Sequence, residues 1–320
     1  MVVRQQSIRS VFQEASMSAT VTFRTAVVRT PGGSDAIEII EVPVVEPGPG
    51  EIRVEVAAAS VNPVDIGVVA GVFHELGLVH QPDHTGLGWD FAGTVAAVGP
   101  DVDLPAGTRV AGMVAGFDRD HGTYAEQLVV AVRDTAVVPA GLDLAAAATV
   151  PLNGLAAAQL VDLLGDGGGR RLLVTGAAGA VGGYVVPLAQ DRGWRVTGLA
   201  RAGDEKFVRG LGADFTTDAQ SGWDAVADAG VLQEQAVALV RDGGLFVGLR
   251  PNAAPPAERG ITVQVVESRP DGVRLAGLLE DTASGHLPAR VHAVVPLDAV
   301  ADAHRAVAAG GVRGRYVLEP

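Results

Sequence analysis

The chain has 320 residues, 48% of them hydrophobic and 4% aromatic, and this length suggests two domains, each with its own core. The net charge of −13 disfavours nucleic acid and anionic membranes as partners, so a small molecule is the expected partner. The absence of cysteine excludes disulfides and thiolate-ligated zinc or iron–sulfur sites. No membrane-spanning or signal-peptide pattern is found, and together with the missing cysteines this favours a cytoplasmic location.

The N-terminal part of the chain is predicted to be a short extension followed by a β-rich domain. Residues 1–20 are polar, which is typical of a flexible extension. Across 21–140, runs of Val, Ile and Thr are separated by Gly and Pro, a pattern that favours a compact β-barrel-like domain. The predicted strands are 23–29, 37–42, 51–59, 93–98, 109–112 and 127–132.

The composition changes at about residue 141, where an α/β pattern begins. Residues 142–164 are typical of a helix, which Pro151 and Gly154 are predicted to break. Strands and helices then alternate, which favours a doubly wound parallel sheet over 141–285. The tail, 286–320, is expected to rejoin the first domain. Predicted strands are 171–175, 194–199, 223–227, 244–249, 291–296 and 314–318, and predicted helices are 181–191, 205–211, 233–240, 273–284 and 297–308.

A glycine-rich turn between a buried strand and a helix is the strongest motif in the chain. The sequence RLLVTGAAGAVGGYVVPLAQ (171–190) places Ala177, Gly179 and Gly182 in the frame of a dinucleotide-binding fingerprint. Gly179 would let the backbone approach a pyrophosphate, and Gly182 would let the helix pack on the strand. The alternative is a merely structural turn. The predicted coenzyme-binding residues here are Gly176, Ala177, Ala178, Gly179, Ala180 and Val181.

The next strand suggests which dinucleotide is bound. An NAD site usually has an acid at this strand tip, but the strand here ends in Ala200 and Arg201, and Lys206 follows. These two cations favour a 2′-phosphate and therefore NADPH. The alternative is that both are solvated surface charges, paired with Asp204 and Glu205.

Seven blocks occur in order along the chain: AASVNPVD (58–65), GWDFAGTVAAVG (88–99), GTYAEQLVV (122–130), AAAATVPLNGLAA (145–157), TGAAGAVGG (175–183), LGAD (211–214) and GRYVL (314–318). From about residue 23 to the end, the chain resembles the medium-chain dehydrogenases/reductases, specifically their quinone oxidoreductase branch. The resemblance implies a GroES-like β-barrel catalytic domain, 21–140 with 286–320, around a Rossmann NADPH-binding domain, 141–285. It also implies a homodimer, with 261–266 as the pairing edge.

The zinc ligands of related alcohol dehydrogenases are not matched. Asn62 stands in the region of the first ligand, and Gly88-Trp89-Asp90 replaces a Gly-His-Glu segment. His74, His80 and His84 cluster in a loop, and we interpret them as solvated side chains rather than ligands. No metal site is therefore predicted.

The resemblance implies hydride transfer from NADPH to a quinone or an α,β-unsaturated carbonyl. It places Asn62 beside the nicotinamide as a catalytic donor, although Asn62 could instead only form the turn before Pro63. The tyrosine common in this branch is replaced by Phe73, so His74 is the nearest candidate acid. Further predictions are that Asp65 holds the turn, that Tyr124 is structural, and that the coenzyme cleft is lined by Thr149, Leu249 and Arg250.

Three further possibilities stay open. Thr149 and Asn153 could cap a helix rather than line the cleft. The enzyme could be an enoyl reductase or ketoreductase of a biosynthetic pathway, which differs from a quinone reductase only in the substrate pocket. The chain could also be a non-catalytic protein that binds NADPH as a sensor.

Overall fold

The computed structural model describes residues 21–320, and the extension predicted for 1–20 lies outside the described residues. The strands are β1 Thr22–Val28, β2 Ile37–Pro43, β3 Glu51–Ser60, β4 Thr85–Gly86, β5 Asp90–Val98, β6 Arg109–Met113, β7 Gln127–Ala131, β8 Thr135–Val137, β9 Arg171–Thr175, β10 Arg195–Leu199, β11 Asp214–Thr216, β12 Trp223–Asp228, β13 Val240–Gly248, β14 Thr262–Val265, β15 Val291–Pro296 and β16 Arg315–Glu319. The helices are α1 Pro63–Val69, α2 Val72–Glu75, α3 Leu144–Ala147, α4 Pro151–Leu164, α5 Gly182–Asp191, α6 Glu205–Gly210, α7 Glu234–Val237, α8 Gly272–Ala283 and α9 Val300–Ala309.

The middle of the chain forms a six-stranded parallel sheet in the order β11-β10-β9-β12-β13-β14. This order reverses direction between β9 and β12, which is the arrangement of a doubly wound dinucleotide-binding fold. Its central strands are apolar because helices cover both faces, and Leu172, Leu173 and Val174 are fully buried. The predicted Rossmann architecture is confirmed.

The remaining strands form a β-barrel-like domain around a second core. Strands β15-β16-β3-β5-β6-β8 form one sheet with β7 paired to β3, and β2-β1-β4 form a smaller sheet. Strand β3 alternates between buried and more exposed residues over 51–58, as expected for a strand with one face on a core, and its last two residues are buried as well. Strand β16 pairs with β3 at Val317 and Ser60, so the C-terminal segment joins the sheet formed by the N-terminal part of the chain. The exact domain boundaries stay a prediction.

Two sequence-based predictions are wrong in detail. Gly154 does not break the helix but lies inside α4, where a Cβ atom would be 3.3 Å from Leu278 of α8. The glycine therefore permits close packing of the two helices, at a helix-propensity cost of about 1 kcal/mol. The helix predicted over 233–240 ends at Val237, because Val240 already pairs with Trp223 as the start of β13.

Some short elements were not predicted: the helices α1 and α2 and the strands β4, β8 and β11. Each is seven residues or shorter, so it carries too little hydrophobic periodicity to be identified. Within residues 21–320, no helix is both long and apolar enough to cross a membrane.

Candidate coenzyme cleft and active site

The glycine-rich turn lies at the carboxyl end of β9 and leads into α5. Gly176 has φ +57°, a left-handed conformation that favours glycine. A Cβ atom on Gly182 would lie 2.3 Å from the Gly176 carbonyl oxygen, so only glycine allows the helix to start this close to the turn. This close approach and the position of the turn at the start of a helix fit a dinucleotide phosphate.

The turn is fixed at the point where the strand order reverses. The Thr175 hydroxyl donates to Asp228 Oδ1 at 2.6 Å and accepts from the Gly230 N–H at 2.9 Å. Asp228 is fully buried and also accepts the backbone N–H groups of Leu232 and Gln233. The loops after β9 and β12 are thereby tied together at the crevice in which doubly wound folds bind their ligands.

A cavity of about 50 Å³ lies between the glycine-rich turn and the returning end of the chain. It brings together four of the predicted coenzyme-binding residues, Thr149, Ala178, Gly179 and Ala180. The additional lining residues are Gly183, Tyr184, Pro288, Arg290, Val312, Gly314 and Arg315. The volume is well below the roughly 300 Å³ or more of a typical small-molecule pocket, so this part of the cleft is narrow.

A larger cavity of about 170 Å³ lies on the other side of the turn, at the tip of β10. Its lining residues are Gly176, Ala178, Gly179, Ala200, Arg201, Asp204 and Arg313. Asp204 pairs with Arg313, and Glu205 pairs with Arg209, so neither acid forms an ion pair with Arg201 as the sequence alternative suggested. The charge of Arg201 nevertheless contributes to lowering the pKa of Asp204, which lines the same cavity. Lys206 is exposed and lines neither cavity.

Two further arginines approach the turn from the returning chain. Arg290 donates to the Ala178 carbonyl oxygen at 2.8 Å, and its guanidinium lies 3.9 Å from the ring centre of Phe207. Arg315 donates to Asn153 Oδ1 at 2.7 Å, and its Nε is buried without a partner among the described residues. Cations and an unpartnered donor beside a glycine-rich turn fit the anionic diphosphate of a nicotinamide coenzyme.

Asn62 precedes α1 and is 1% exposed. Its amide nitrogen donates to Asp90 Oδ2 at 2.8 Å, and its amide oxygen accepts from Asn153 at 2.9 Å. The Asp90 carboxylate also accepts the Leu152 N–H at 2.6 Å, in the first turn of α4. The Asn62 side chain therefore belongs to a buried hydrogen-bond network that links the barrel to α4.

The turn around Asn62 is held by Asp65 and Tyr124, as the sequence predicts. Asp65 Oδ2 accepts the Asn62 N–H at 2.9 Å and the Tyr124 hydroxyl at 2.8 Å. Burial raises the pKa of Asp65 to about 6, although both hydrogen bonds favour its charged form. Burial also raises the pKa of Asp90 to about 6, against the hydrogen bonds from Ser60, Asn62 and Leu152.

The other predicted residues lie at varying distances from the turn. His74 is in α2, where its Nε2 lies 3.4 Å from the Thr85 hydroxyl, and it lines neither cavity. Leu249 and Arg250 follow the carboxyl end of β13, the edge of the sheet that also carries the turn, but line neither cavity. Val181 is the residue before the first turn of α5.

Thr149 lines the smaller cavity and donates to the Ala146 carbonyl oxygen at 2.8 Å. It does not cap α4, since the residue before that helix is Val150. Within residues 21–320, no group of three or more His, Asp or Glu side chains could hold a metal ion. His80 pairs with Asp118, and His84 stacks on His121 at 5.8 Å.

Sequence reasoning did not assign to the site three of the polar side chains that line the cavities, those of Tyr184, Arg290 and Asp204. The only sequence feature that pointed to Tyr184 is its place in the first turn of α5. Burial raises the pKa of Tyr184 to about 12, so its hydroxyl is protonated at neutral pH. Arg290 carries no local motif. Asp204 was considered as a partner for Arg201, but its actual partner, Arg313, is 109 residues away.

Comparisons with known proteins agree with this fold. The family model of the alcohol dehydrogenase GroES-like domain matches residues 48–140, and that of zinc-binding dehydrogenase matches residues 203–318. In the solved structures, the quinone oxidoreductase from Coxiella burnetii has a TM-score of 0.82 at 24% identity. The match covers 94% of this chain and 100% of that one, and it supports the fold.

Two curated relatives are similar in sequence over most of the chain. A mycocerosic acid synthase-like polyketide synthase of Mycobacterium tuberculosis is 31% identical over 91% of this chain, which spans 15% of that protein. The chloroplastic NADPH-dependent alkenal/one oxidoreductase of Arabidopsis thaliana is 31% identical over 71% of this chain, which spans 62% of that protein. Together with the two family models, these similarities show that the chain belongs to the medium-chain dehydrogenase/reductase superfamily of oxidoreductases.

Proposed function

We propose that this oxidoreductase uses NADPH to reduce a quinone or an α,β-unsaturated carbonyl compound. The observation that carries the proposal is Arg201, which lines the cavity beside the glycine-rich turn with neither neighbouring acid paired to it. A guanidinium at this strand tip that pairs with neither neighbouring acid suits a 2′-phosphate, whereas an NAD site usually offers an acid directly at the strand tip. The name of the Arabidopsis relative, an NADPH-dependent alkenal/one oxidoreductase, supports the same coenzyme.

The coenzyme would be held by the turn and by cations from three segments. The N–H groups at the start of α5 suit the diphosphate, with Arg290 and Arg315 beside the smaller cavity and Arg201 at the ribose end. When bound, NADPH supplies a hydride to an electron-poor double bond. Thr149 and Tyr184 offer hydroxyl groups at the narrow part of the cleft.

We keep Asn62 as a residue beside the nicotinamide, in a positioning role. Both polar atoms of its amide are committed to Asp90 and Asn153, so it orients Asn153, which in turn holds Arg315. His74 stays a candidate acid, although its hydrogen-bond partner in the described chain is Thr85.

We also propose that the reaction proceeds without zinc. The chain has no cysteine, and Asn62 and Trp89 occupy the regions in which related alcohol dehydrogenases carry ligands. A homodimer paired along β14 is a further proposal, supported by the position of that strand at the end of the parallel sheet.

A second candidate function is the reduction of an enoyl thioester within a biosynthetic pathway. The specific observation is the 31% identity over 91% of this chain to a polyketide synthase. The hydride chemistry would be the same, and only the groups that recognise the substrate would differ.

The test is to measure NADPH consumption by the purified chain with a quinone, an enone and an enoyl thioester. We expect turnover with the quinone or the enone, and slower turnover with NADH at equal concentration. Faster turnover of the enoyl thioester would favour the second candidate. Saturable NADPH binding without turnover of any substrate would instead support a coenzyme sensor, and the lack of binding would contradict all three.

A further inference from the structure

Asp204 and Arg313 form a close ion pair on the wall of the larger cavity. Arg313 Nε lies 2.5 Å from Asp204 Oδ1, and Nη2 lies 2.6 Å from Oδ2, so the guanidinium binds both carboxylate oxygens. Asp204 is 8% exposed. The hydrogen bonds from Arg313 lower the pKa of Asp204 from its usual value, so the carboxylate is ionised at neutral pH.

The ion pair connects two separate parts of the fold across the cleft. Asp204 follows β10 of the parallel sheet, whereas Arg313 lies between α9 and β16, in the segment that returns to the barrel. Both side chains line the same cavity as Arg201 and the glycine-rich turn. A carboxylate therefore faces the region in which a phosphorylated ribose is expected.

A phosphate in this cavity would interact with the ion pair in two ways. Its charge of about −1.5 to −2 is repelled by the carboxylate, more strongly in a partly buried site than in water. It also competes with the carboxylate for Arg313, because a guanidinium binds phosphate and carboxylate with the same two-point geometry. Asp204 thus opposes the binding of a phosphorylated ribose for as long as it holds Arg313.

We propose that Asp204 holds Arg313 in the coenzyme-free protein and yields it to the 2′-phosphate of NADPH, so that this pair sets how strongly NADPH is preferred over NADH. The inference rests on the proposed function. NADH has no 2′-phosphate, so it leaves the pair in place. Arg201, in the same cavity, supplies the second cation for the phosphate.

The first test is Asp204→Asn, which removes the charge and keeps the size of the side chain. The dissociation constants of both coenzymes are measured by isothermal titration calorimetry. We expect the constant for NADPH to fall about five- to tenfold and that for NADH to change less than about twofold. Unchanged or weaker NADPH binding overturns the proposal.

The matched control is Glu205→Gln, one residue away. Glu205 is exposed, pairs with Arg209 at 2.8 Å and does not line the cavity. Its substitution should leave both dissociation constants unchanged. A gain in NADPH affinity equal to that of Asp204→Asn would attribute the effect to overall charge and overturn the proposal.

A second variant changes the arginine of the same ion pair, and its result does not depend on the stability of the first variant. Arg313→Gln should weaken NADPH binding about tenfold and NADH binding much less. In the double variant, the part of the gain from Asp204→Asn that comes from releasing Arg313 should disappear, so that only the relief of charge repulsion is left. An equal gain in the presence and absence of Arg313 overturns the proposal.

The unsubstituted protein separates the two levels of the argument. If it binds neither coenzyme, the proposed function itself is contradicted. If it prefers NADPH and Asp204→Asn leaves that preference unchanged, only the role of the ion pair is contradicted.

Discussion

At the scale of single residues, Arg201 and Lys206 differ in their surroundings although both follow the tip of β10. Both side chains are exposed, but Arg201 lines the cavity beside the glycine-rich turn, whereas Lys206, on α6, lines neither cavity. We expect Arg201→Ala to raise the dissociation constant of NADPH about 10- to 100-fold, as for the loss of a charge-assisted hydrogen bond. NADH binding should change little, and coenzyme titration measures both.

Lys206→Ala is the matched control for this prediction. It removes one positive charge from the same helix region but none from the cavity lining, so both dissociation constants should stay within about twofold. An equal loss of NADPH and NADH binding in Arg201→Ala would contradict a role in phosphate selection. An equal effect of the two substitutions on NADPH binding would mean that Arg201 acts only through the overall charge of the protein.

The same residues show how far local sequence can predict a site. The glycine-rich turn and Arg201 are contiguous with a strand and a helix, so their placement at one sheet edge follows from the chain order. Arg290 and Arg313 reach the turn only because the chain end returns to the barrel and pairs with β3. No local sequence pattern predicts a contact between residues this far apart in the chain. One polar partner of Asn62, Asn153, is likewise distant in sequence, at 91 residues.

At the scale of elements, the hydrophobic pattern predicts strands and helices well where each contacts the core along its whole length. The pattern predicts the wrong conformation where contact with one neighbouring element determines the conformation of a residue. Gly154 lies inside α4, where its missing side chain leaves room for α8, and Val240 is extended because β12 pairs with it. Both are tertiary effects that override local propensity.

Helix α9 carries a buried histidine that makes its packing sensitive to pH. His304 is fully buried, its ring meets that of Tyr124 edge-on at 5.7 Å, and both ring nitrogens lack hydrogen-bond partners within the described chain. Burial lowers the pKa of His304 from 6.5 to about 4. Between these values the unfolded chain binds a proton that the folded chain does not.

Because the folded pKa is lowered, the contribution of His304 to stability is present above pH 6.5 and is lost as the pH falls towards 4. The loss amounts to about 3 kcal/mol. Asp65 and Asp90 act in the opposite direction, since their pKa values are raised to about 6. We therefore predict that His304→Leu removes this loss. The free energy of unfolding of the variant and of the unsubstituted protein is measured at pH 7 and at pH 4.5, and the difference between the two proteins is compared at the two pH values.

His286 provides the contrast for this experiment. It is partly exposed, and its hydrogen bond with Asp191 raises its pKa, so its contribution is present below the unfolded pKa and is lost as the pH rises through the folded pKa. His286→Asn should therefore change the pH dependence weakly and with the opposite sign. If His304→Leu and the unsubstituted protein lose the same amount of stability on acidification, the buried histidine is not the cause of the acid destabilisation.

At the scale of the whole molecule, polar contacts bridge the barrel and the parallel-sheet domain. Asp90 accepts the Leu152 N–H of α4, Arg290 binds the turn at Ala178, and Arg313 binds Asp204. The coenzyme is expected to occupy the cleft that these contacts surround. A ligand that binds only where both parts are folded stabilises the complete structure by mass action.

Coenzyme binding should therefore raise the thermal stability of the protein as a whole. At a free NADPH concentration 100 times its dissociation constant, the gain is about 2.7 kcal/mol, which corresponds to a shift in Tm of about 4 °C for a chain of this size. NADH at the same concentration should shift Tm less, because the cavity beside Arg201 would then hold no phosphate. Differential scanning calorimetry measures both shifts, and in Arg201→Ala the difference between them should become smaller. Equal shifts from the two coenzymes in the unsubstituted protein would contradict selection of the 2′-phosphate.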